Sequence, residues 1–365
     1  MLTETLRRAV RILDAAATPH GVDRYLELVA PTWSTTEVRG RVRRVSHQTP
    51  DTVTLHVEAN RNWAGFLAGQ YVALTVEIDG VRHTRCYSPT QAAGDRAGRE
   101  VELTIKATGL VSTHLHRYAR PGLVVGLSSP QGRFVLPEQR PDHLLLVSGG
   151  SGITPVLSML RTLCAEGHDR PVTFLHYCLT PDDLTYRDEL AAVGAEHPNI
   201  NVVRVFTDRP GISDLPPGLD GFVSPQQLDA ATPYWRQAEA YVCGPAPLMD
   251  SFRQIYAAGR ISEQLHTEAF TLTEIVAEAG DIPGQLTLSR SATTIRSDGR
   301  PILQQVEAAG LTPQSGCRMG ICHTCVCPLT QGAVRNLLTG EITDAAGENI
   351  RICISAPVGD ATIDL

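Results

Sequence analysis

Four cysteines near the end of the chain have the spacing of ligands to an iron–sulfur cluster. Cys317, Cys322 and Cys325 follow a C-x4-C-x2-C pattern, and Cys353 lies further downstream. Two irons bridged by sulfides need four thiolates, and a tight loop that supplies three of them can also turn backbone N–H groups towards the electron-rich sulfurs. We therefore predict a 2Fe-2S cluster held by this segment, residues 315–325, which we call the cysteine loop.

Two other uses of cysteine compete with this interpretation. Disulfides are disfavoured because the chain begins without a secretory apolar segment. Zinc sites with four cysteines usually consist of two C-x2-C pairs rather than this pattern. Cys327 lies two residues beyond Cys325, and we expect it to pack as a small apolar residue outside the ligand set.

Composition limits the possible classes of protein. The chain has 365 residues, enough for two or three domains, with 42% apolar and 19% charged residues. The net charge of -7 argues against a nucleic-acid partner, which would need a basic face. No apolar run approaches the roughly 18 to 20 residues that span a bilayer. We expect a cytoplasmic protein, which also suits reduced thiols.

The N-terminal extension, residues 1–36, is predicted to be helical. Residues 1–17 place Leu2, Leu6 and Leu13 on one face of a helix, with arginines mostly elsewhere. Such a helix either makes peripheral contact with a membrane, at its inner face, or covers one end of the next domain. A second short helical segment is expected before Pro31.

Residues 37–138 contain short alternating strands separated by Gly, Pro and Asp, which indicates an antiparallel barrel or sandwich. Arg85 and Tyr87 share one face of a strand, so that a guanidinium can grip phosphate while the ring stacks on a planar ligand. Ser88 ends this strand, and its hydroxyl could reach a ring nitrogen. Ser112, near the start of a predicted helix, marks an anion site. Each motif alone is equally explained by strand packing and helix capping.

Residues 139–270 alternate between strands and helices. A Gly-rich turn at residues 148–155 follows a buried strand and precedes a helix, so that a pyrophosphate can approach backbone N–H groups. Another turn, Gly244-Pro245, follows the strand that ends at Cys243. Both turns lie at the carboxyl ends of strands, where open α/β sheets bind ligands. Cys243 is then either a nicotinamide contact or a structural cysteine.

Residues 271–284 lack an apolar period and are predicted to be a linker. The remaining residues, 285–365, suffice for a small domain around the cluster.

The ordered motifs resemble those of the ferredoxin–NADP reductase superfamily, and the last segment resembles plant-type ferredoxin. They are Arg85-x-Tyr87-Ser88, Gly109-x-Val111-Ser112, Gly149-Gly150-x-Gly152-Ile153-Thr154-Pro155 and Cys243-Gly244-Pro245-x-x-x-Met249. The resemblance covers nearly all of residues 37–365. It implies a multidomain protein with an antiparallel β-barrel flavin domain, an α/β parallel-sheet nucleotide domain and an α+β, β-grasp ferredoxin domain.

The resemblance also implies roles for the flavin-binding residues. Arg85 would bind the flavin phosphate, Tyr87 would stack on the isoalloxazine, and Ser88 would lie near its N5. Ser112 and Thr113 would hold the pyrophosphate of FAD. Further contacts to the cofactor are expected from Cys86, Ile105, Lys106 and Val111.

On the nucleotide side, Cys243 would lie near the nicotinamide. Glu268 and Phe270 resemble an acidic and aromatic pair near the flavin. We expect Ser88, Cys243 and Glu268 to act at the reacting atoms. The residues expected to hold the nucleotide are Gly149, Gly150, Gly152, Thr154, Gly244 and Pro245. Arg209 could pair with a 2'-phosphate, which favours NADPH. The neighbouring Asp208 lies close to where NADP-preferring relatives often have a basic residue, which favours NADH. We expect NADPH, with NADH as the alternative.

These cofactors suggest a relay. Nicotinamide gives up two electrons at once, a cluster accepts one at a time, and a flavin can do both. We expect electrons to pass from NAD(P)H through FAD and the 2Fe-2S cluster to an iron-dependent oxygenase. The N-terminal extension resembles that of reductases serving a membrane-bound acyl desaturase or hydroxylase. The alternatives are a soluble oxygenase or acyl-CoA epoxidase as acceptor and, in another class, a redox sensor.

Overall fold

The structure is a computed structural model that describes residues 22–94, 98–208, 211–270, 284–316, 318, 320, 324–337 and 340–365, with only the backbone of residues 22, 24 and 25. Several predicted features lie outside these residues: the helix at 1–17, the linker up to residue 283, Arg209, Cys317 and Cys322. The chain divides into two compact units between Ala269 and Phe270. The domain boundaries predicted above remain predictions.

The described part of the first unit starts with a short helix, which an antiparallel barrel follows. Its elements are α1 (Val22–Val29), β1 (Val38–Thr49), β2 (Thr52–Ala59), β3 (Val72–Ile78), β4 (Val81–Tyr87), β5 (Glu100–Lys106), α2 (Leu110–Tyr118) and β6 (Val124–Leu127). The strand order is β4-β3-β6-β1-β2-β5, and a bridge between Pro89 and Leu103 joins its two edges. Alternate residues such as Val53, Leu55 and Val57 fill the interior. The expected antiparallel barrel is confirmed.

A parallel sheet follows in the same unit. Its elements are β7 (Leu144–Gly149), α3 (Ile153–Ala165), β8 (Val172–Cys178), α4 (Arg187–Glu196), β9 (Ile200–Phe206), α5 (Pro225–Ala231), β10 (Glu239–Cys243), α6 (Ala246–Ala258) and β11 (Leu265–Glu268). The order is β11-β10-β7-β8-β9, with every pair parallel. Every residue of β7 and β8 is buried, as expected for strands covered on both faces. The predicted α/β fold is confirmed.

The second unit is a small mixed sheet with one helix. Its elements are β12 (Gln285–Leu288), β13 (Thr293–Arg296), α7 (Ile302–Ala308), β14 (Val326–Asn336), β15 (Ile342–Thr343), β16 (Asn349–Arg351) and β17 (Ser355–Ile363). The order is β13-β12-β17-β14-β15, with β16 pairing to β14. Only β12 and β17 pair in parallel among these strands. Leu286, Ile302 and Leu329 lie in its core. The predicted α+β class is confirmed.

None of the helices in the described part of the chain is both long enough and apolar enough to cross a bilayer.

Candidate cofactor sites

The strand β4 presents the predicted flavin-contacting side chains. It pairs with β3 so that Arg85 lies opposite Leu74 and Tyr87 opposite Val72. Burial raises the pKa of Tyr87 above its ordinary value, so the phenol stays neutral. Ser88 is only 1% exposed, and its hydroxyl has no hydrogen-bond partner among the described residues. A buried hydroxyl without a partner is costly and fits a polar ligand atom at this position.

The helix α2 begins at a turn shaped by Ser112. Its Oγ accepts hydrogen bonds from the backbone N–H groups of Gly109, at 2.9 Å, and Thr108, at 3.0 Å. Ser112 is therefore used to shape the turn, while Thr113 is half-buried beside it. Val111 is buried in the barrel core. The start of α2 leaves helix N–H groups available to an anion such as a pyrophosphate.

Three other predicted flavin contacts, Cys86, Ile105 and Lys106, do not share the face of β4 that carries Arg85 and Tyr87. Ile105 is buried in the barrel core, so its side chain packs inward. Lys106 Nζ lies 3.1 Å from Asp51 Oδ2 and 3.8 Å from Asp183 Oδ1, which engages its charge. Cys86 lies on β4 between Arg85 and Tyr87, on the opposite face of the strand, and is half-buried.

The turn after β7, residues 149–152, packs against the turn after β10; we call residues 149–152 the nucleotide turn. A Cβ on Gly152 would lie 2.2 Å from the carbonyl oxygen of Cys243, so only glycine fits there. A Cβ on Gly149 would lie 2.8 Å from Pro245 Cδ, and Gly150 has a positive φ of 52°. The two turns thus form one shallow backbone surface at the carboxyl ends of neighbouring strands. This surface fits the pyrophosphate of a dinucleotide.

The remaining predicted nucleotide residues lie around this surface. Thr154 is buried in the first turn of α3, and its Oγ1 donates to the Ser151 carbonyl at 3.3 Å. Gly244 is packed against Gly149, whose backbone N would lie 3.0 Å from a Cβ added to Gly244.

Cys243 and Glu268 end two adjacent parallel strands in register. Cys243 is fully buried, and burial raises the pKa of its thiol; Glu268, once ionised, raises it further. Burial also raises the pKa of Glu268 to about 8, and Glu268 Oε2 has no partner among the described residues. Glu268 lies beside Gly132 and Tyr71 of the barrel. A neutral carboxyl and a neutral thiol therefore lie at the edge where the barrel and the parallel sheet face each other.

In the second unit, two of the four predicted cluster ligands are described. Cys325 and Cys353 are each 3% exposed. The backbone N–H of Ile352 donates to the Cys325 carbonyl at 3.3 Å, which brings the two cysteine segments side by side. Cys327 is also buried, and its thiol donates to the Pro328 carbonyl at 3.7 Å.

Two arginines brace the cysteine loop. Arg318 has a φ of 60° and donates to both carboxylate oxygens of Glu307, at 2.8 and 2.5 Å. Arg351 donates to the Gly320 carbonyl at 2.6 Å. Their positive charge and the two buried thiols suit an anionic iron–sulfur cluster. Phe270, the remaining predicted flavin contact, is half-buried at the start of this unit.

Three family models match the chain in succession. The Oxidoreductase FAD-binding domain matches residues 40–136, the Oxidoreductase NAD-binding domain matches residues 146–254, and the 2Fe-2S iron-sulfur cluster binding domain matches residues 286–358.

Known proteins are similar to this chain over nearly their whole lengths. An NADPH oxidoreductase of Mycobacterium tuberculosis is 35% identical, over 97% of this chain and 91% of its own length. A glycine betaine monooxygenase reductase subunit of Pseudomonas aeruginosa is 30% identical, over 91% of this chain and 96% of its own length. The structure of phthalate dioxygenase reductase superposes with a TM-score of 0.58 at 24% identity, covering 90% of this chain and 97% of that chain.

The chain belongs to the ferredoxin–NADP reductase superfamily, in the group of flavoproteins that carry a C-terminal 2Fe-2S domain. It is an NAD(P)H-dependent oxidoreductase whose cofactors are FAD and a 2Fe-2S cluster.

The sequence motifs did not reveal two buried polar groups near these sites. Ser148 Oγ and His176 Nδ1 lie 2.8 Å apart beneath the nucleotide turn, and burial lowers the pKa of His176 to about 4, so the ring is neutral. Arg161, on α3, lies in an ion cluster with residues of the barrel. Ser148 lies in the Gly-rich turn, but neither its pairing with His176 nor the Arg161 cluster could be read from a local motif, because the partners are distant in sequence.

Proposed function

We propose that this chain is the reductase component of an oxygenase system. It would take electrons from NAD(P)H and deliver them singly to the iron-dependent oxygenase. The observation that carries the proposal is the docking of the barrel segment 90–93 on α3. The Ser158 hydroxyl donates to the Gln91 carbonyl at 2.8 Å, and the Ala93 N–H donates to Thr162 Oγ1 at 2.9 Å. The proposed flavin and nucleotide contacts are therefore parts of one compact unit.

FAD, when bound, converts two-electron hydride chemistry into the one-electron chemistry of the cluster. The residues of the chain would bind FAD and the dinucleotide, orient their rings and shield them from water. Arg85 would pair with phosphate, Tyr87 would stack on the flat ring, and the Ser88 hydroxyl would donate to a ring nitrogen. The nucleotide turn would hold the dinucleotide pyrophosphate, and Cys243 would pack against the nicotinamide.

Glu268 would hold a proton at this site. Because its pKa is about 8, the carboxyl is mostly protonated at neutral pH and its Oε2 is not engaged by the described residues. A carboxylic acid in that state can donate a hydrogen bond or exchange a proton as the charge beside it changes.

We propose NADPH as the preferred coenzyme. Support comes from Arg209 in the sequence and from the relative in Mycobacterium tuberculosis, which is named an NADPH oxidoreductase. An anaerobic absorbance titration with NADPH and NADH tests this proposal together with the cofactor content. Equal bleaching of the flavin by both coenzymes at low concentration contradicts the preference.

Two finer partners are each supported by an observation. The amphipathic pattern of residues 1–17 favours a membrane-bound acyl desaturase or hydroxylase. The similarity to a glycine betaine monooxygenase reductase subunit of Pseudomonas aeruginosa supports a monooxygenase as the acceptor, and a soluble oxygenase is the alternative partner. Reconstitution with candidate oxygenases, using the full chain and a form lacking residues 1–36, separates these possibilities. Activity confined to soluble partners, with no effect of the truncation, contradicts the membrane partner.

A redox sensor is the alternative in another class. Rapid NAD(P)H-dependent reduction of an artificial one-electron acceptor is expected for a reductase. Bound flavin that neither coenzyme can bleach would instead support the sensor.

A further inference from the structure

Arg161 joins three segments of the first unit through one guanidinium. Its Nη1 donates to Glu102 Oε1 at 2.7 Å and to the Thr90 carbonyl at 2.9 Å, both in the barrel. Its Nε and Nη2 donate to the two carboxylate oxygens of Glu189, on α4, at 2.6 and 2.7 Å. The arginine itself lies on α3, so the barrel and the parallel sheet are bound to one rigid fork.

Tyr186 completes this cluster. Its hydroxyl hydrogen-bonds to Thr104, lies 3.0 Å from Glu102 Oε1 and lies 3.3 Å from Thr54 Oγ1. The Arg161 guanidinium lies over its ring, 4.9 Å from the centroid. Tyr186 has a φ of 56°, an unfavourable backbone conformation for an aromatic residue. Such conformations persist where the surrounding contacts determine them, as these four side chains do.

The cluster is ionic although it is largely buried. Arg161 and Glu102 side chains are 19% and 15% exposed. Burial works against ionisation of Glu102, but Arg161 and the hydrogen bonds from Thr90 and Tyr186 outweigh it and keep the pKa of Glu102 below its usual value. Charged partners in this setting have a defined geometry, because neither can leave the other without a large desolvation cost.

The inference depends on where Arg161 lies in the fold and not on how much its ion pairs stabilise the protein. Thr90 lies two residues after Ser88, the proposed flavin contact. Arg161 lies on the helix that starts at the nucleotide turn, nine residues after Gly152, or about 13 Å along the helix axis. The arginine therefore fixes the strand end on the flavin side to the helix on the nucleotide side.

We propose that Arg161 is a positioning residue for hydride transfer, which sets the separation of the nucleotide turn from the flavin-contacting strand end. The inference rests on the proposed function. Hydride transfer breaks a C–H bond of the nicotinamide and moves its electron pair with the hydrogen to the flavin, so the two rings must lie in contact with the reacting atoms aligned. Arg161 is not among the proposed contacts to either ring and would act through Thr90 and α3.

The test compares the FAD-loaded full chain with Arg161→Met and Arg161→Lys. Arg140→Met is the matched control, because Arg140 makes a two-point pair with Glu166, the residue after α3, and is not hydrogen-bonded to segment 90–93. The measurements are the anaerobic rate of flavin reduction at saturating NADPH, the coenzyme Kd, and the long-wavelength charge-transfer absorbance between nicotinamide and flavin.

For Arg161→Met we expect the reduction rate to fall by on the order of 100-fold, because a shift of about 1 Å in the reacting groups has this effect. The coenzyme Kd should change little and the charge-transfer absorbance should disappear. Arg161→Lys should recover part of the rate, since an ammonium still reaches Glu102 but cannot bridge all three partners. Arg140→Met should match the wild type.

A wild-type rate and charge-transfer absorbance in Arg161→Met overturn the inference, whatever its loss of thermal stability. If that variant cannot be loaded with FAD, Tyr186→Phe decides the question, since it removes only one hydroxyl from the cluster. An unchanged rate in Tyr186→Phe and Arg161→Lys would then overturn the inference, and a rate about 10-fold lower would support it. If neither coenzyme reduces the wild type, the proposed function fails as well.

Discussion

The nucleotide turn and the cysteine loop are both glycine-containing loops beside buried cysteines, yet they are held in different ways. The nucleotide turn lies between two parallel strands, where Gly152 packs on the backbone of Cys243. The described part of the cysteine loop is held by side chains, namely Arg318 on Glu307 and Arg351 on the Gly320 carbonyl. The nucleotide turn takes its shape from regular secondary structure, and the described part of the cysteine loop is held by one ion pair and one side-chain hydrogen bond.

A similar difference separates the Arg161–Glu102 and Arg318–Glu307 ion pairs, which we call the two arginine clamps. The Arg161–Glu102 pair is mostly buried, whereas the Arg318 and Glu307 side chains are 40% and 30% exposed. Exposed pairs contribute little because water and salt screen them. We infer that the nucleotide turn is formed before its ligand binds, and that the cysteine loop owes much of its stability to the cluster.

The largest expected effect tests that dependence on the cluster. Cys353→Ser removes a predicted ligand, so we expect loss of the bound iron and sulfide and of cytochrome c reduction. Ferricyanide reduction through the flavin should persist. Cys327→Ser is the matched control, because Cys327 is equally buried and should leave the iron content unchanged. Loss of iron in Cys327→Ser, or its retention in Cys353→Ser, would show that the ligand set is wrong.

A pair of glycine substitutions compares the loops directly. In Gly152→Ala the new methyl group meets backbone that cannot move away, so we expect coenzyme affinity to fall by about 10- to 100-fold with FAD content unchanged. In Gly320→Ala the new methyl group meets the Ile354 side chain, 2.4 Å from Cδ1, and the positive φ of 75° strains an alanine, but this strain lies in the second unit. That variant should keep its coenzyme affinity. Calorimetric titration with NADP+ measures both, and equal losses contradict the distinction.

The clamps are compared by removing one carboxylate from each. Glu102→Ala leaves Arg161 without a barrel carboxylate, and we expect it to lower the free energy of unfolding by about 3 kcal/mol. Glu307→Ala should lower it by no more than about 1 kcal/mol. Urea unfolding followed by fluorescence measures both values. A larger cost for Glu307→Ala would reverse the ranking of the two clamps.

The smallest effect concerns pH. The folded-state pKa of Glu268, about 8, lies above the ordinary value of 4.5. Between these values the folded chain holds a proton that the unfolded chain has lost, so this group makes stability fall as pH rises through that window. Glu268→Gln should flatten the dependence of Tm on pH there, whereas Glu77→Gln, at an exposed carboxyl, should not. An unchanged slope in Glu268→Gln shows that the carboxyl is ionised in the folded protein.

The features that could be predicted from the sequence are those encoded over a few residues. Strand alternation and the Gly-rich turn reflect local geometric needs, which is why the antiparallel barrel and the parallel α/β sheet could be inferred. Cysteine spacing indicated the cluster, and the resemblance to plant-type ferredoxin implied the α+β class of the last domain. Arg161 could not, because Glu102 and Thr90 lie 59 and 71 residues away in the chain. Nor could the use of the Ser112 hydroxyl within its own turn, since a hydroxyl at a helix start serves either the backbone or a ligand.

The lysine that bridges the barrel and the parallel sheet offers a practical handle. Lys106 is the only lysine in the sequence, and it lies between Asp51 of the barrel and Asp183, which follows β8. Amine-reactive dyes can therefore attach only there and at the N-terminal amine. Because the ammonium is paired with two carboxylates, the rate of labelling reports how often the Lys106 side chain leaves Asp51 and Asp183. Lys106 is thus a natural labelling site for following the opening of these ion pairs.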